Sequence, residues 1–321
     1  MWKIELMKTI IKEIEDLNLS QYNGQYYCDL AKKIVSILQS MKDKGIKIVH
    51  HYVTLPKNNF LYRCVTPLDT LNSYTKEFLR YNDKANYWQR ASQPHEPLFY
   101  GAWVNDNTIV AENEQHKKNA GDICMKETST LYRDFTNGIY NNGLNQKIFS
   151  KWETNRDLNL ITIVHPKVFT SYQENALLNS LKDNYKHFIS SLKLSQSQTK
   201  ELDEFTQFLA KKLAEPVIDE RKYVVTALLL RQLLLDAKES GEKIDGFLYP
   251  SVRTDGEFGM YVALFKDVVD DSLSLINYYD IFLYMYKKKY FIANENTPED
   301  EVCQVLGCNS IDDVTSTIED S

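Results

Sequence analysis

The sequence predicts an α+β fold, and three features predict it. Apolar residues recur at helical spacing over residues 1–43 and again over 172–240. Short runs rich in β-branched and aromatic residues begin at Ile46 and return at 97–104, 158–169 and 247–265. Turn chemistry parts these runs, as at Pro56-Lys57-Asn58-Asn59. With 321 residues, 43% hydrophobic and 12% aromatic, the chain can bury a substantial core as one large domain or two ordinary ones.

The elements follow in order. In MWKIELMKTIIKEIEDLNL the apolar stripe of Trp2, Ile4, Leu6, Ile10, Ile11, Ile14 and Leu17 is interleaved with charge. That pattern reads as an amphipathic helix and lacks the uninterrupted apolar core of a signal peptide. A second helix runs over Asp29–Met41 with Leu30, Ile34, Ile37, Leu38 and Met41 on one face, and residues 1–45 are expected to form a helical extension capping the main domain. IKIVHHYVTL and FLYRCVT open a sheet, and PLFYGAWV at 97–104 supplies another strand. Asn105-Asp106-Asn107 offers N-cap chemistry for a helix starting at Thr108, which puts Glu112 in its first turns. The middle of the chain holds one clear strand, LNLITIVHPKVF, and helical stretches at Tyr172–Leu192 and Ser197–Leu213. Asp219–Ser240 is a leucine-rich helix closed by Gly241. Phe247–Val252 and Met260–Phe265 form a hairpin around a turn with Gly256 in the left-handed position. Residues 291–321 are acidic and polar, as in a loosely attached tail or short helices.

Several function classes are disfavoured. A net charge of −6 gives no sequence-wide attraction for phosphate backbones, so nucleic acid is not an expected partner. The longest apolar run, Tyr223–Leu235, is broken by Arg231 and Gln232 and falls short of the ~20 residues of a membrane span, so no membrane association is expected. Five scattered cysteines suit a reducing cytoplasm, and neither they nor the six histidines show metal-ligand spacing. No P-loop, GxGxxG or GxSxG occurs.

The residues that carry chemistry sit in three islands: Leu61-Tyr62-Arg63, Arg90 through Glu112, and GFLYPSVR at 246–253. Arg63 lies in a strand-like run, where a guanidinium either serves a structural salt bridge or grips an anion through paired hydrogen bonds. Arg90, after Tyr87-Trp88, carries the same two readings. Glu112 is either a solvated helix-face carboxylate or a site carboxylate. Ser251, fixed behind Pro250 at a strand end, either bonds its own backbone or faces a ligand.

Together the islands resemble the RES-domain family. Tyr62-Arg63 looks like its Arg motif, Arg90 with EPLFYGA and Thr108-Ile109-Val110-Ala111-Glu112 like its R…YxA…TALAE stretch, and Tyr249-Pro250-Ser251-Val252-Arg253 like its YPSxR stretch. Ile109-Val110 stands where the family has Ala-Leu, and Ala91-Ser92 where Phe-Asn is common. The stretch between Glu112 and Ser251 is longer than in compact members, which implies a helical insertion at about 125–215 within a catalytic domain spanning 46–290. The resemblance implies an ADP-ribosyltransferase-like split β-sheet that clamps NAD as substrate. It also implies a bacterial toxin of a toxin–antitoxin pair, with NAD consumed by phosphorolysis or hydrolysis. Inorganic phosphate is then a co-substrate and an antitoxin protein a partner. In that chemistry Glu112 stabilises an oxocarbenium-like ribose, Arg63 grips the phosphates with help from Arg90, and Ser251 bonds near the nicotinamide ribose. Tyr100 stacks on nicotinamide, or simply serves the core. Two other readings stay open: ADP-ribose transfer onto a protein, and a non-catalytic nucleotide-binding or interaction protein.

Overall fold

The computed structural model describes all residues except 1, 20–26, 44–50, 68–78, 83–84, 104–119, 169–175, 218–219, 255–258 and 316–321. In chain order the helices are α1 (Trp2–Glu15), α2 (Tyr27–Asp43), α3 (Ala120–Thr128), α4 (Thr130–Thr136), α5 (Ala176–Ser191), α6 (Gln196–Ala214), α7 (Tyr223–Glu239), α8 (Lys266–Ser272), α9 (Glu299–Leu306) and α10 (Asp312–Thr315). The strands are β1 (His51–Leu55), β2 (Phe60–Val65), β3 (Leu98–Trp103), β4 (Gly143–Thr154), β5 (Leu158–Thr162), β6 (Gly246–Pro250), β7 (Met260–Phe265), β8 (Leu273–Tyr286) and β9 (Lys289–Asn294). The fold is α+β, and the nine strands among the described residues form one open sheet of order β1-β5-β6-β7-β3-β2-β4-β8-β9. Every neighbouring pair is antiparallel except β5–β6.

The sheet is weakest in its middle. β2 shares six registered pairs with β4, and β3 shares six with β7, yet β2 and β3 share only Leu61↔Trp103 and Tyr62↔Ala102. Beyond these pairs the ladder between the two strands stops, so Arg63 and Gly101 stand where the two halves of the sheet part.

Apolar spacing explains the helical layers. Met7, Ile10, Ile14 and Leu17 of the α1 region, with Leu30, Ile34, Leu38 and Met41 of α2, are buried in the same core as Phe205, Leu209 and Leu213 of α6 and Val224, Leu228 and Leu230 of α7. Each such side chain contributes about 1.5–3 kcal/mol of burial. α1 lies against α6 and α2 against α7. The other face of the sheet buries Phe99, Trp152, Leu248 and Val262 with Leu178 and Leu181 of α5 and Val268 and Val269 of α8. The expected hairpin at 247–265 is the antiparallel pair β6–β7, while Gly256 of its turn lies outside the described residues. A side chain at Gly246 would meet Ala263 O at 2.2 Å, so β6 approaches β7 there without room for a Cβ.

The middle of the chain differs from its expected texture. Residues 125–215 supply not only helices and β5 but also the 12-residue β4, which pairs with β2 and β8. β4 (GLNQKIFSKWET) is rich in polar residues, which hides it from hydrophobic patterning. Its buried Lys147 and Ser150 find partners inside: Lys147 Nζ donates to Thr66 Oγ1 (2.6 Å) and Thr128 O (2.9 Å), and Ser150 Oγ to Arg63 O. The end of the chain forms β9, α9 and α10, with Val302, Leu306 and Val314 packed around Ala293. Among the described residues no helix is long and apolar enough to cross a membrane, and no cluster of three or more metal-ligating side chains occurs.

Candidate functional site

The site is built where β6 ends, over the junction of β2 and β3. α3 packs on both strands, and its Cys124 thiol donates to Tyr62 O (3.3 Å). This anchors the helix so that its last turn delivers Glu127 to the end of β6. There Ser251 Oγ, fully buried, donates to Glu127 Oε1 at 2.7 Å, and the backbone N–H of Arg253 donates to the same oxygen at 3.2 Å. Oε2 of Glu127 makes no hydrogen bond among the described residues. Among the described residues the carboxylate is therefore held by one oxygen and open at the other.

Two phenols flank it. Tyr249 of β6 and Tyr261 of β7 face each other across the ladder with ring centroids 6.2 Å apart, and both are almost completely buried. Neither hydroxyl has a hydrogen-bond partner among the described residues. Burial pushes both well above the ordinary tyrosine range, and the nearby Glu127 carboxylate adds to the rise. Two largely buried tyrosines whose hydroxyls have no protein partner among the described residues, beside this carboxylate, are the features of a surface that meets a polar ligand.

Arg133 and Arg253 touch Glu127, and Arg63 and Lys147 lie in the adjoining strands β2 and β4. Arg63 is 9% exposed, and its only hydrogen bond among the described residues runs from Nη1 to Tyr100 O (2.9 Å). Its guanidinium lies 5.5 Å from the Phe99 ring centroid, and its buried Nε has no partner. Burial lowers its affinity for a proton, offset in part by Tyr261 and the Cys124 thiol. Arg133 donates to Lys126 O (2.8 Å) and Thr130 Oγ1 (2.8 Å); burial and then the neighbouring Arg253 depress it. Arg253 donates to Val217 O (3.2 Å). Lys147, buried beneath the end of α3, is lowered by desolvation. None of Arg63, Arg90, Arg133, Lys147 or Arg253 forms an ion pair with a carboxylate among the described residues. Arg63, Arg90 and Lys147 are buried, and a buried cation without a counter-charge is costly, so Arg63 is suited to an anion that neutralises it.

Ser251 is thus brought to a carboxylate, and Arg63 is buried without an anionic partner. No hydrogen bond or ion pair joins Arg63 to Ser251 or Glu127 among the described residues. Arg90 is committed elsewhere. Its Nη1 donates to Leu213 O and Glu215 O at the end of α6, and its guanidinium lies 5.1 Å from the Tyr223 ring centroid. Cations at a helix C-terminus satisfy its last carbonyls, so Arg90 anchors α6. Tyr100 is also tied: its hydroxyl accepts from Ala91 N (3.1 Å) and pairs with Ser92 Oγ (3.3 Å), and burial pushes it up to about 12. Glu112 lies outside the described residues.

Glu127, Tyr261, Arg133 and Lys147 are the site residues that the sequence reading missed. The available signal was the run GDICMKETS, whose Glu127 sits in the last turn of a short helix after the FYGAW strand, while the helix expected from Thr108 begins outside the described residues. At the opposite end of β6 an open cleft of about 620 Å³ includes Arg156 and Asp245, but these are paired with each other at 2.7 Å. No protein-family model matches the chain, and no curated protein matches it.

Proposed function

We propose that this protein is an NAD-consuming enzyme that breaks the nicotinamide–ribose bond, on an ADP-ribosyltransferase-like split sheet. The observation that carries the reading is the Ser251–Glu127 hydrogen bond, which fixes one carboxylate oxygen and, among the described residues, leaves the other open near two unpartnered phenols. The short β2–β3 ladder, with Arg63 in the opening, supports the split-sheet reading.

Cleavage of that bond sends its electron pair to nicotinamide, which leaves neutral, and leaves an oxocarbenium-like ribose. The open Oε2 of Glu127 would accept a hydrogen bond from a ribose hydroxyl and stabilise the developing positive charge. Arg63, with Arg133 and Arg253, supplies the positive field for the two phosphates. Phosphate oxygen or water then adds to the anomeric carbon; with water, one proton is released and ADP-ribose forms. Glu127 takes the carboxylate role in this account, with Glu112 the alternative that the family resemblance suggests. The same reading makes the protein a cytoplasmic bacterial toxin whose activity an antitoxin protein would block.

The test is nicotinamide release from NAD by the purified protein, with and without inorganic phosphate. Release accelerated by phosphate supports phosphorolysis, and equal release in both buffers supports hydrolysis. Release only when a lysate protein acquires ADP-ribose would replace this reading by protein modification. No turnover in any arm would overturn it in favour of a binding protein.

A further inference from the structure

α9 ends in a cap of unusual composition. Gly307 takes the left-handed conformation (φ 74°) and its N–H donates to Cys303 O at 2.7 Å, while the N–H of Cys308 donates to the same carbonyl at 3.2 Å. The second bond is the six-residue closure of a Schellman cap, which brings the residue after the glycine onto the residue one turn back in the helix. In most such caps that contact is a pair of apolar side chains. Here it is a pair of cysteines.

The Cys308 sulfur lies 4.0 Å from Cys303 O, which seats the Cys308 side chain over the residue one turn back. Both are free and partly exposed. The helix beneath them is fixed, because Val302 and Leu306 are buried against β8 and β9, and Lys289 Nζ donates to Val305 O (3.2 Å). The pairing therefore belongs to the cap and not to a chance meeting of mobile side chains. It is remote in sequence from the residues of the proposed NAD site, and it stands without that reading.

We propose that Cys303 and Cys308 form a redox-active dithiol, a modification site that reacts with small-molecule disulfides to give an intramolecular disulfide across the α9 cap. The two neighbouring thiols titrate as a pair, and in the proposed sequence Cys308, the residue beyond the helix, is the first nucleophile. Its thiolate attacks one sulfur of the small disulfide, forming a mixed disulfide and expelling one thiolate. Cys303 then loses its proton and attacks the Cys308 sulfur, expelling the second thiolate. Two protein thiols are oxidised, one disulfide is reduced to two thiols, and the two protons go to the leaving groups. The ring closes over only a few residues, so the bond reshapes the cap more than it stabilises the chain.

Residues 290–321 contain no Lys or Arg, so trypsin releases both cysteines in one peptide with no other cysteine. The reduced full-length protein is equilibrated with mixtures of glutathione and glutathione disulfide, alkylated with iodoacetamide, digested and weighed. Exposed Cys28 serves as the internal control. The proposal predicts that the peptide loses two hydrogens and both alkylation sites at a poise where most Cys28 is still alkylated. It also predicts that Cys303→Ser and Cys308→Ser each convert this product into a single glutathione adduct. The proposal is overturned if both cysteines remain alkylatable once Cys28 is glutathionylated, or if each carries its own adduct in the wild-type chain.

Discussion

Ser251 Oγ donates to Glu127 Oε1 at 2.7 Å and so joins the end of β6 to the last turn of α3, two segments 124 residues apart in the chain. The bond orients the carboxylate, because a second donor, Arg253 N, binds the same oxygen. Replacing Ser251 by alanine removes one of these two donors. We predict that Ser251→Ala lowers nicotinamide release by about 10-fold, equivalent to about 1.4 kcal/mol, with a comparable or smaller loss of fold stability. Steady-state assays beside a thermal melt check this, and unchanged turnover would mean that the bond does not position Glu127.

Arg63 tests the charge argument. Among the described residues its buried guanidinium has one carbonyl partner and no carboxylate, so the ligand-free fold carries its desolvation cost. Arg63→Met should leave the Tm of the ligand-free protein unchanged or raised. The same change should abolish the rise in Tm that NAD produces and raise KM about 10–100-fold, the equivalent of losing a charge-assisted bond of about 1.5–3 kcal/mol. A large loss of ligand-free stability would assign Arg63 to structure.

For Arg90 the expectation is reversed, since its partners are the carbonyls of Leu213 and Glu215 at the end of α6. Arg90→Ala should destabilise the fold by about 1.5–3 kcal/mol, as read from denaturant melts, with a smaller effect on KM than Arg63→Met.

His165 gives a pH dependence. It is buried, its Nδ1 accepts from Lys167 N (3.2 Å), and its Nε2–H donates to Asp203 Oδ1 (2.8 Å). Tyr185 meets its ring edge-on. Burial lowers its proton affinity; Asp203 opposes that shift, while Lys167 and Lys211 reinforce it. The folded value is therefore below the unfolded value of about 6.5. As pH falls through the unfolded value, the unfolded chain binds a proton that the folded chain refuses, so stability is full above it and declines toward the folded value. Burial raises Asp203, but bonds from Lys167 and His165 hold it below the usual carboxylate range, so its contribution is lost only at lower pH. Denaturant midpoints should drop between pH 7 and 5, and His165→Gln should flatten that slope, leaving the part due to His51, which burial also lowers. An unchanged slope in the variant would contradict the assignment.

How much of this was legible depends on which interactions decide each element. α1, α2, α6 and α7 were readable because their apolar residues keep the helical period, and β6–β7 because two apolar runs flank a turn sequence. β4 was not, because its buried Lys147 and Ser150 are satisfied by partners remote in sequence, Thr128 and Arg63. Ser251 and Arg63 could be chosen from local pattern, but the role of Glu127 could not. Its place in the site depends on how α3 docks over β2 and β3, a tertiary fact that no local spacing encodes. Arg90 shows the converse: its fork suits a phosphate as well as a helix end, and only the position of α6 decides between them.

The most direct test compares Glu127→Gln with Glu112→Gln in one nicotinamide-release assay, using protein of matched thermal stability. Glutamine keeps the size of the side chain and an oxygen to accept from Ser251, but removes the charge that would stabilise the ribose cation. We predict that Glu127→Gln lowers turnover by about 10³-fold or more, roughly 4 kcal/mol in barrier, and that Glu112→Gln has a much smaller effect. Full activity in Glu127→Gln would contradict the account, whatever Glu112→Gln does.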